Sequence, residues 1–364
     1  MRVTLDGTPL LGPRTGVGQY VDQLVRAAVG LPGAPELVLT AFTLRGGRPP
    51  GDLPPGVAWR HRPLPARGLQ WLWQRAAFPT AELVAGPMDV FHATNFVAPP
   101  TRRARTVVTV HDLSFLTFPD TVTREVARYR ELVPRAVHNA AVVLTPSHSV
   151  AAEVRDQYGL PADRVVATPL GVDPSWSEAT AMAPAELVQL GLPDRFLLFV
   201  GARQPRKDLP TLLAAHRRAR SAHPDTPQLL LVGPRGWGVQ HEIDGSDVLI
   251  RDHLPRPLLQ RLVASATAVV MPSRYEGFGL PVLEAMAAGT TVLASDIAAH
   301  REVGGDVPRF FEAGDADALA QLIVTVSGEP QPVEVRDRGR RRAAAATWAA
   351  CAQTTIGAYQ RAAG

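Results

Sequence analysis

The sequence predicts an α/β fold made of two doubly wound domains, each a parallel sheet covered by helices. Three observations carry this. Short apolar runs alternate with helix-length stretches along most of the 364 residues. The runs are rich in Val, Leu and Ile without strict alternation, the pattern of strands buried on both faces of a parallel sheet. The chain also has room for two domains of ~150–200 residues each, and the alternation lapses at Pro174 to Pro193.

In the first block the expected strands are Arg2–Leu5, Leu37–Phe42, Val90–His92, Thr106–His111, Ala141–Thr145 and Val165–Pro169. In the second they are Phe196–Gly201, Gln228–Gly233, Val248–Ile250, Ala268–Met271 and Thr291–Ala294. Helical stretches fall between them at Gly18–Val29, Arg124–Asn139, Leu209–Ala222 and Pro257–Ala264, which is the βαβ alternation of doubly wound sheets. Ser147 reads as a helix cap. Residues 174–193 hold Ser, Glu, Ala and Pro with little periodicity and read as a linker. The expected division is therefore 1–173, a linker at 174–193, 194–342, and a terminal helix over 343–364. Arg67–Phe78, with Trp71, Trp73 and Arg75, reads as a partly buried helix; contact with a membrane surface is the alternative.

Composition narrows the function. Hydrophobic residues make up 46% and charged residues 20%, enough apolar content for real cores. No apolar run reaches the ~20 residues of a membrane-spanning helix. Met1 to Gly7 lacks the basic start and long apolar stretch of a secretory signal. The single cysteine, Cys351, excludes an internal disulfide and a cysteine zinc cluster, so a cytoplasmic location is expected. The net charge of +4 is small for this length, and 37 of the 38 basic residues are arginine. The one lysine, Lys207, stands out against that bias.

The stretch that carries chemistry is Arg274-Tyr-Glu-Gly-Phe-Gly-Leu-Pro-Val-Leu-Glu284. It follows an apolar strand and leads into a helix, with Pro281 suited to the first helical position. Gly277 and Gly279 let the loop backbone approach a ligand. The N–H groups from Leu280 to Leu283 then offer an anion site helped by the helix dipole. Glu276 in the loop and Glu284 in the expected first turn place two carboxylates near one mouth. Carboxylates accept hydrogen bonds from vicinal hydroxyls, as on a ribose or a hexose. A phosphate site beside two hydroxyl readers describes a nucleotide-sugar pocket, with Gly277, Phe278, Gly279, Leu280 and Glu284 as its donor-binding residues.

This segment resembles the signature of the retaining family 4 glycosyltransferases, which have the GT-B fold. Further pieces agree in order and spacing: Arg14-Thr-Gly-Val-Gly-Gln-Tyr20, Val107-Val-Thr-Val-His-Asp112, Pro169-Leu-Gly-Val-Asp173, Phe199-Val-Gly-Ala-Arg-Gln-Pro-Arg-Lys-Asp-Leu209 and Thr347-Trp348. The resemblance covers roughly residues 1–360. It implies two Rossmann-like domains, an interdomain cleft, and a C-terminal helix that crosses back onto the first domain. It also implies that the second domain binds a nucleotide-diphosphate sugar and the first a hydroxyl acceptor.

Residue by residue, the resemblance implies that Arg206 and Lys207 stabilise the leaving diphosphate, a role two fixed cations in a dry cleft fill without a metal. Glu276 orients the sugar hydroxyls and Glu284 binds ribose. His111, at the end of a buried strand, positions the reacting end of the sugar, while Asp112 caps the next turn. Gly16 and Gly18 offer backbone N–H groups near the diphosphate. Tyr20, His92 and Asn95 line the acceptor side. Arg251 to His253 falls where the family's base-contacting loop lies. Arg203 departs from the family pattern, because Ala202 follows Gly201 where some relatives have an arginine. No cofactor or metal is expected, and the resemblance points to GDP-mannose as donor. The expected acceptor is a glycan, a lipid-linked saccharide or a secondary metabolite, reached in the cytoplasm or at the inner face of the membrane.

Other chemistries lack their motifs. No HExxH, CxxC, Gly-x-Ser-x-Gly elbow or P-loop occurs. Gly16-x-Gly18 lacks the third glycine of a dinucleotide fingerprint. Asp315-Ala-Asp317 falls after the last expected strand and reads as a helix cap. Arg336 to Arg342 is too short a basic run for nucleic-acid binding. Two other classes remain on this fold: an epimerase or phosphorylase, and a non-catalytic sugar-nucleotide binder. An epimerase would carry different first-domain carboxylates, and a phosphorylase a much longer chain. Intact His111, Lys207, Glu276 and Glu284 weigh against a binder.

Overall fold

A computed structural model describes residues 1–12, 16–44, 49–61, 63, 68, 69, 72, 73, 76, 78–119, 122–236, 247–329 and 331–364. The chain divides into two compact units. The first holds Met1–Leu116, Arg124–Gly171 and Trp348–Gly364; the second holds Thr117–Thr123 and Val172–Thr347.

The first unit is a seven-stranded sheet: β1 (Arg2–Asp6), β2 (Glu36–Ala41), β3 (Ala58–His61), β4 (Val90–Ala93), β5 (Arg105–Thr109), β6 (Val142–Thr145) and β7 (Val165–Ala167). Its order is β3-β2-β1-β4-β5-β6-β7, with every pair parallel. The central strands are buried on both faces, as their Val-rich, non-alternating sequences require. The helix Trp348–Ala363 returns to this unit, where it buries Trp348, Cys351 and Tyr359.

The second unit is a six-stranded parallel sheet: β8 (Phe196–Val200), β9 (Gln228–Val232), β10 (Val248–Arg251), β11 (Ala268–Met271), β12 (Val292–Ser295) and β13 (Arg309–Phe311), in the order β10-β9-β8-β11-β12-β13. The turns after β8 and β9 touch backbone to backbone: a Cβ on Gly233 would lie 2.2 Å from the Gly201 carbonyl oxygen, so only glycine fits there.

Several expectations are corrected. Residues 174–193 do not form a free linker. They make a 3-10 turn, Pro174–Trp176, and a helix, Pro184–Gln189, with Trp176, Leu187 and Leu192 buried in the second unit. The helix expected from residue 343 is two helices, Val333–Ala345 and Trp348–Ala363, and only the second belongs to the first unit. The stretch 124–139 is likewise two helices, Arg124–Ala127 and Tyr129–Asn139. Strands β3 and β13 are not among the expected strands; both are short edge strands, and they carry Arg and His instead of a valine run.

Trp73 is a core residue. It is buried, its ring packs on Phe42 with centroids 5.2 Å apart, and Nε1 donates to the Pro79 carbonyl at 2.9 Å. Trp71 and Arg75 lie outside the described residues. Among the described residues no helix is long and apolar enough to cross a membrane.

Candidate active site

In the second unit β8 pairs with both β9 and β11, so connections leaving the carboxyl ends of β8 and β11 diverge. Such a switch point is where open α/β sheets bind ligands. The turn after β8 carries Arg206 and Lys207, within the 3-10 turn Pro205–Lys207. The loop after β11 carries Ser273 to Gly279 and leads into the helix Leu280–Ala287.

Hydrogen bonds tie these two segments together. The Arg274 N–H donates to the Arg206 carbonyl at 2.8 Å. Arg206 Nη1 donates to the Tyr275 carbonyl at 3.0 Å and to Glu276 Oε2 at 2.7 Å. Lys207 Nζ donates to Glu276 Oε1, which also accepts from Ser273 Oγ at 2.7 Å. Lys207 is 8% exposed and Glu276 7%, so this is a nearly dry ion-paired cluster. Burial alone would raise the Glu276 carboxyl. The Lys207 ammonium and the Arg206 guanidinium outweigh it and hold the group well below the usual carboxylate range. Two cations against one carboxylate leave the cluster net positive, which suits an incoming anion.

Asp208 braces the turn. It adopts φ 49°, a left-handed conformation that a non-glycine residue rarely takes. Its Oδ2 accepts from Arg274 Nε at 2.8 Å and from Thr211 Oγ1 at 2.8 Å, which fixes the backbone that aims Arg206 and Lys207.

The glycine turn differs in detail from its sequence reading. The helix begins at Leu280, so Pro281 is its second residue, and Glu284 lies in the second turn, 9% exposed. Of the amides expected to face an anion, Pro281 has none, and those of Val282 and Leu283 donate to the Gly279 carbonyl at 3.0 and 3.3 Å. The Leu280 amide keeps no partner among the described residues. Gly279 adopts φ 103°. A Cβ there would press on His300 Cδ2 at 3.2 Å, so glycine serves both the turn and the packing beneath it. Phe278 is buried beside it. Arg203 pairs with Asp252 at 3.3 Å, across to the Arg251–His253 segment.

In the first unit the expected residues separate into two kinds. His92 is fully buried, with Nδ1 2.7 Å from Tyr359 Oη and Nε2 2.7 Å from Thr109 Oγ1. Burial lowers its pKa to about 3. Tyr20 is also buried, its hydroxyl 3.1 Å from Thr109 Oγ1. Neither lines an acceptor surface; both belong to a polar lock between the sheet and the terminal helix.

His111 is partly exposed. Its Nε2–H donates to the Thr94 carbonyl at 2.8 Å, which leaves Nδ1 as an acceptor without a partner among the described residues. Burial lowers its pKa, which favours the neutral ring. Its edges pack on Tyr20 and Phe96 with centroids 5.0 and 5.7 Å apart. Asn95 is half-buried and hydrogen-bonds the Tyr129 hydroxyl. Asp112 Oδ1 accepts from the Ser114 N–H at 3.0 Å, the expected turn cap. Gly16 and Gly18 lie in the first turn of the helix Gly16–Val29; Arg14 and Thr15 fall outside the described residues.

His300, Asp208 and the serines Ser273 and Ser295 join the site without a motif that marks them in the sequence. His300 stands five residues beyond β12, a histidine following a strand end as His111 does. That placement was the available signal. Among the described residues no three His, Cys, Asp or Glu side chains gather in a way that would hold a metal ion.

A family profile described as Glycosyl transferases group 1 matches residues 194–328, and one described as Glycosyltransferase Family 4 matches residues 14–176. The chain is similar to the O-antigen chain mannosyltransferase B of Escherichia coli, 31% identical over 287 residues that cover 74% of this chain and 74% of the relative. It is also similar to the MMP alpha-(1->4)-mannosyltransferase of Mycolicibacterium hassiacum, 30% identical over 241 residues that cover 64% of this chain and 57% of the relative. Sucrose-phosphate synthase from Thermosynechococcus elongatus superposes with a TM-score of 0.74 at 21% identity, covering 99% of this chain and 98% of that one. WaaG, a glycosyltransferase involved in lipopolysaccharide biosynthesis, superposes with a TM-score of 0.72 at 16% identity, covering 98% of each chain. At those identities the structural likeness speaks for the fold.

Proposed function

The chain belongs to the family 4 glycosyltransferases of GT-B fold, and from that premise we propose that it moves a hexose from a nucleotide-diphosphate sugar to a hydroxyl acceptor with retention of configuration. The single observation that carries the donor assignment is the meeting of Arg206, Lys207 and Glu276 at the switch point of the second sheet.

Breaking a glycosyl–diphosphate bond builds negative charge on the leaving phosphate. Arg206 and Lys207 are fixed, desolvated donors for that charge, and such preorganised groups are worth far more in a dry site than in water. The turn Gly277–Leu280 adds the Leu280 amide at the start of a helix dipole. Glu276 turns from its cations toward the sugar hydroxyls as the diphosphate engages those cations. Glu284, eight residues on, takes the ribose. In the first unit His111 offers Nδ1 as a neutral acceptor to the reacting substrate. The donor's phosphate oxygen takes the acceptor proton, so no side chain is needed as base and the transfer proceeds without a metal. Mannose as the transferred sugar, carried by GDP, is supported by relatives named mannosyltransferases. The acceptor is a glycan, a lipid-linked saccharide or a secondary metabolite.

A thermal-shift panel of GDP-, UDP-, ADP- and dTDP-sugars, followed by transfer assays with and without chelator, tests this reading. GDP-mannose should stabilise the protein most, and chelator should leave transfer unchanged. Activity lost to chelator and restored by magnesium would contradict metal independence. No stabilisation by any nucleotide sugar would contradict the donor assignment.

A further inference from the structure

His300 is fully buried at the start of the helix Ala298–Gly304, beneath the glycine turn of the donor loop. Its Nδ1 lies 3.0 Å from the Ser295 carbonyl and 3.2 Å from Ser295 Oγ. A carbonyl only accepts, so Nδ1 carries the proton and Nε2 is a bare lone pair. That Nε2 is buried with no hydrogen-bond partner. An unmatched buried polar atom is costly, and natural structures keep few of them. This one sits against Gly279, where a Cβ would be 3.8 Å away.

A chain of hydrogen bonds connects the ring to the cluster above. Ser295 Oγ donates to the Ser273 carbonyl, and Ser273 Oγ donates to Glu276 Oε1 at 2.7 Å. The charged groups acting on the imidazole are Glu276 from the loop after β11 and Lys207 from the turn after β8. On its own helix Arg301 is turned outward and paired with Asp296. Glu276 favours a proton on the ring, and Lys207 together with burial opposes one.

This balance must change when a diphosphate arrives. On the donor-site reading given above, the diphosphate draws the cations away from Glu276 and brings negative charge of its own. A carboxylate 7% exposed then needs a new counter-charge. We propose that His300 is a positioning residue of the donor site, which takes a proton from solvent onto Nε2 when the diphosphate engages Lys207 and Arg206, and so supplies the counter-charge that Glu276 gives up as it turns toward the sugar. The proton comes from the buffer, no bond of the substrate changes, and the proton returns when the nucleotide leaves.

The test is titration calorimetry of the full chain with GDP-mannose and UDP-glucose near neutral pH, in two buffers of very different ionisation enthalpy. Neither probe carries a phosphate group that titrates in that range. The native chain should take up a substantial fraction of a proton per nucleotide bound. His300→Gln should bind the same probes with an enthalpy independent of the buffer. Buffer-independent binding by the native chain, or equal proton uptake by His300→Gln, overturns the proposal. Failure of both probes to bind the native chain would instead defeat the donor-site reading itself. Should His300→Gln not fold, nitrogen-15 spectra of the histidine-labelled native chain decide. One imidazole should pass from an unprotonated to a protonated Nε2 as nucleotide sugar is added, and an unchanged spectrum overturns the proposal.

Discussion

The ammonium of Lys207 is bound to the carboxylate of Glu276, and Arg206 holds the other carboxylate oxygen at 2.7 Å. The chain's one lysine is thus committed to a charge cluster with Glu276, and a diphosphate bound there would compete with Glu276 for the cations. If Lys207 stabilises the leaving group, Lys207→Ala removes a charge that matters most in the transition state. Transfer should fall by about 2–4 kcal/mol of barrier, roughly 30- to 900-fold in kcat. Single-turnover kinetics would show it, and near-normal turnover would remove Lys207 from the mechanism.

If Glu284 binds the ribose of the donor, it acts before chemistry and its loss should appear in binding. Glu284→Ala should weaken GDP-mannose affinity about tenfold, the worth of one hydrogen bond to a charged group, with a smaller change in kcat. Calorimetry on the variant checks this; unchanged affinity would place the ribose elsewhere.

The terminal helix is locked to the first sheet by Tyr359 Oη, 2.7 Å from His92 Nδ1. Tyr359→Phe keeps the ring and strands a buried nitrogen, at a cost of about 1–3 kcal/mol. Denaturant unfolding should show the loss in the midpoint with little change in slope. Stability equal to the native chain would mean that the lock contributes nothing.

His92 also sets a pH dependence. Its folded pKa of about 3 lies below the ordinary histidine value, so between about 6.5 and 3 the unfolded chain binds a proton that the folded chain does not. Stability therefore falls as the pH drops through that window, by up to about 1.4 kcal/mol per pH unit from this one residue. His111 and the buried His300, both with lowered pKa, act in the same direction. Glu276, held low, adds its own loss only below the ordinary carboxylate range. Unfolding midpoints at neutral and mildly acidic pH test this, and His92→Gln should flatten the slope; an unaltered slope would contradict it.

Central strands and their order of appearance were legible because burial on both faces forces runs such as Phe196–Val200 and Ala268–Met271. Edge strands were not. Ala58–His61 and Arg309–Phe311 are short, partly exposed and carry basic residues, so no apolar run announces them.

The donor loop was legible as a motif because glycine, proline and glutamate each have a local reason to be there. The ion pairing was not, since Lys207 and Glu276 lie far apart in sequence and meet only through the pairing of β8 with β11. A polar residue at a strand end suggests a ligand-facing position, and His92 shows the limit of that rule. A neighbouring threonine and a tyrosine from the terminal helix satisfy both of its nitrogens inside the core.

The central claim is that the turn after β8 and the glycine turn after β11 together hold a diphosphate. A crystal structure of the full chain with bound GDP-mannose tests it most directly. The account predicts phosphate oxygens within hydrogen-bond reach of Arg206, Lys207 and the Leu280 amide, with Glu276 turned from Lys207 toward the sugar. A nucleotide bound elsewhere, with Lys207 and Glu276 still paired, would contradict it.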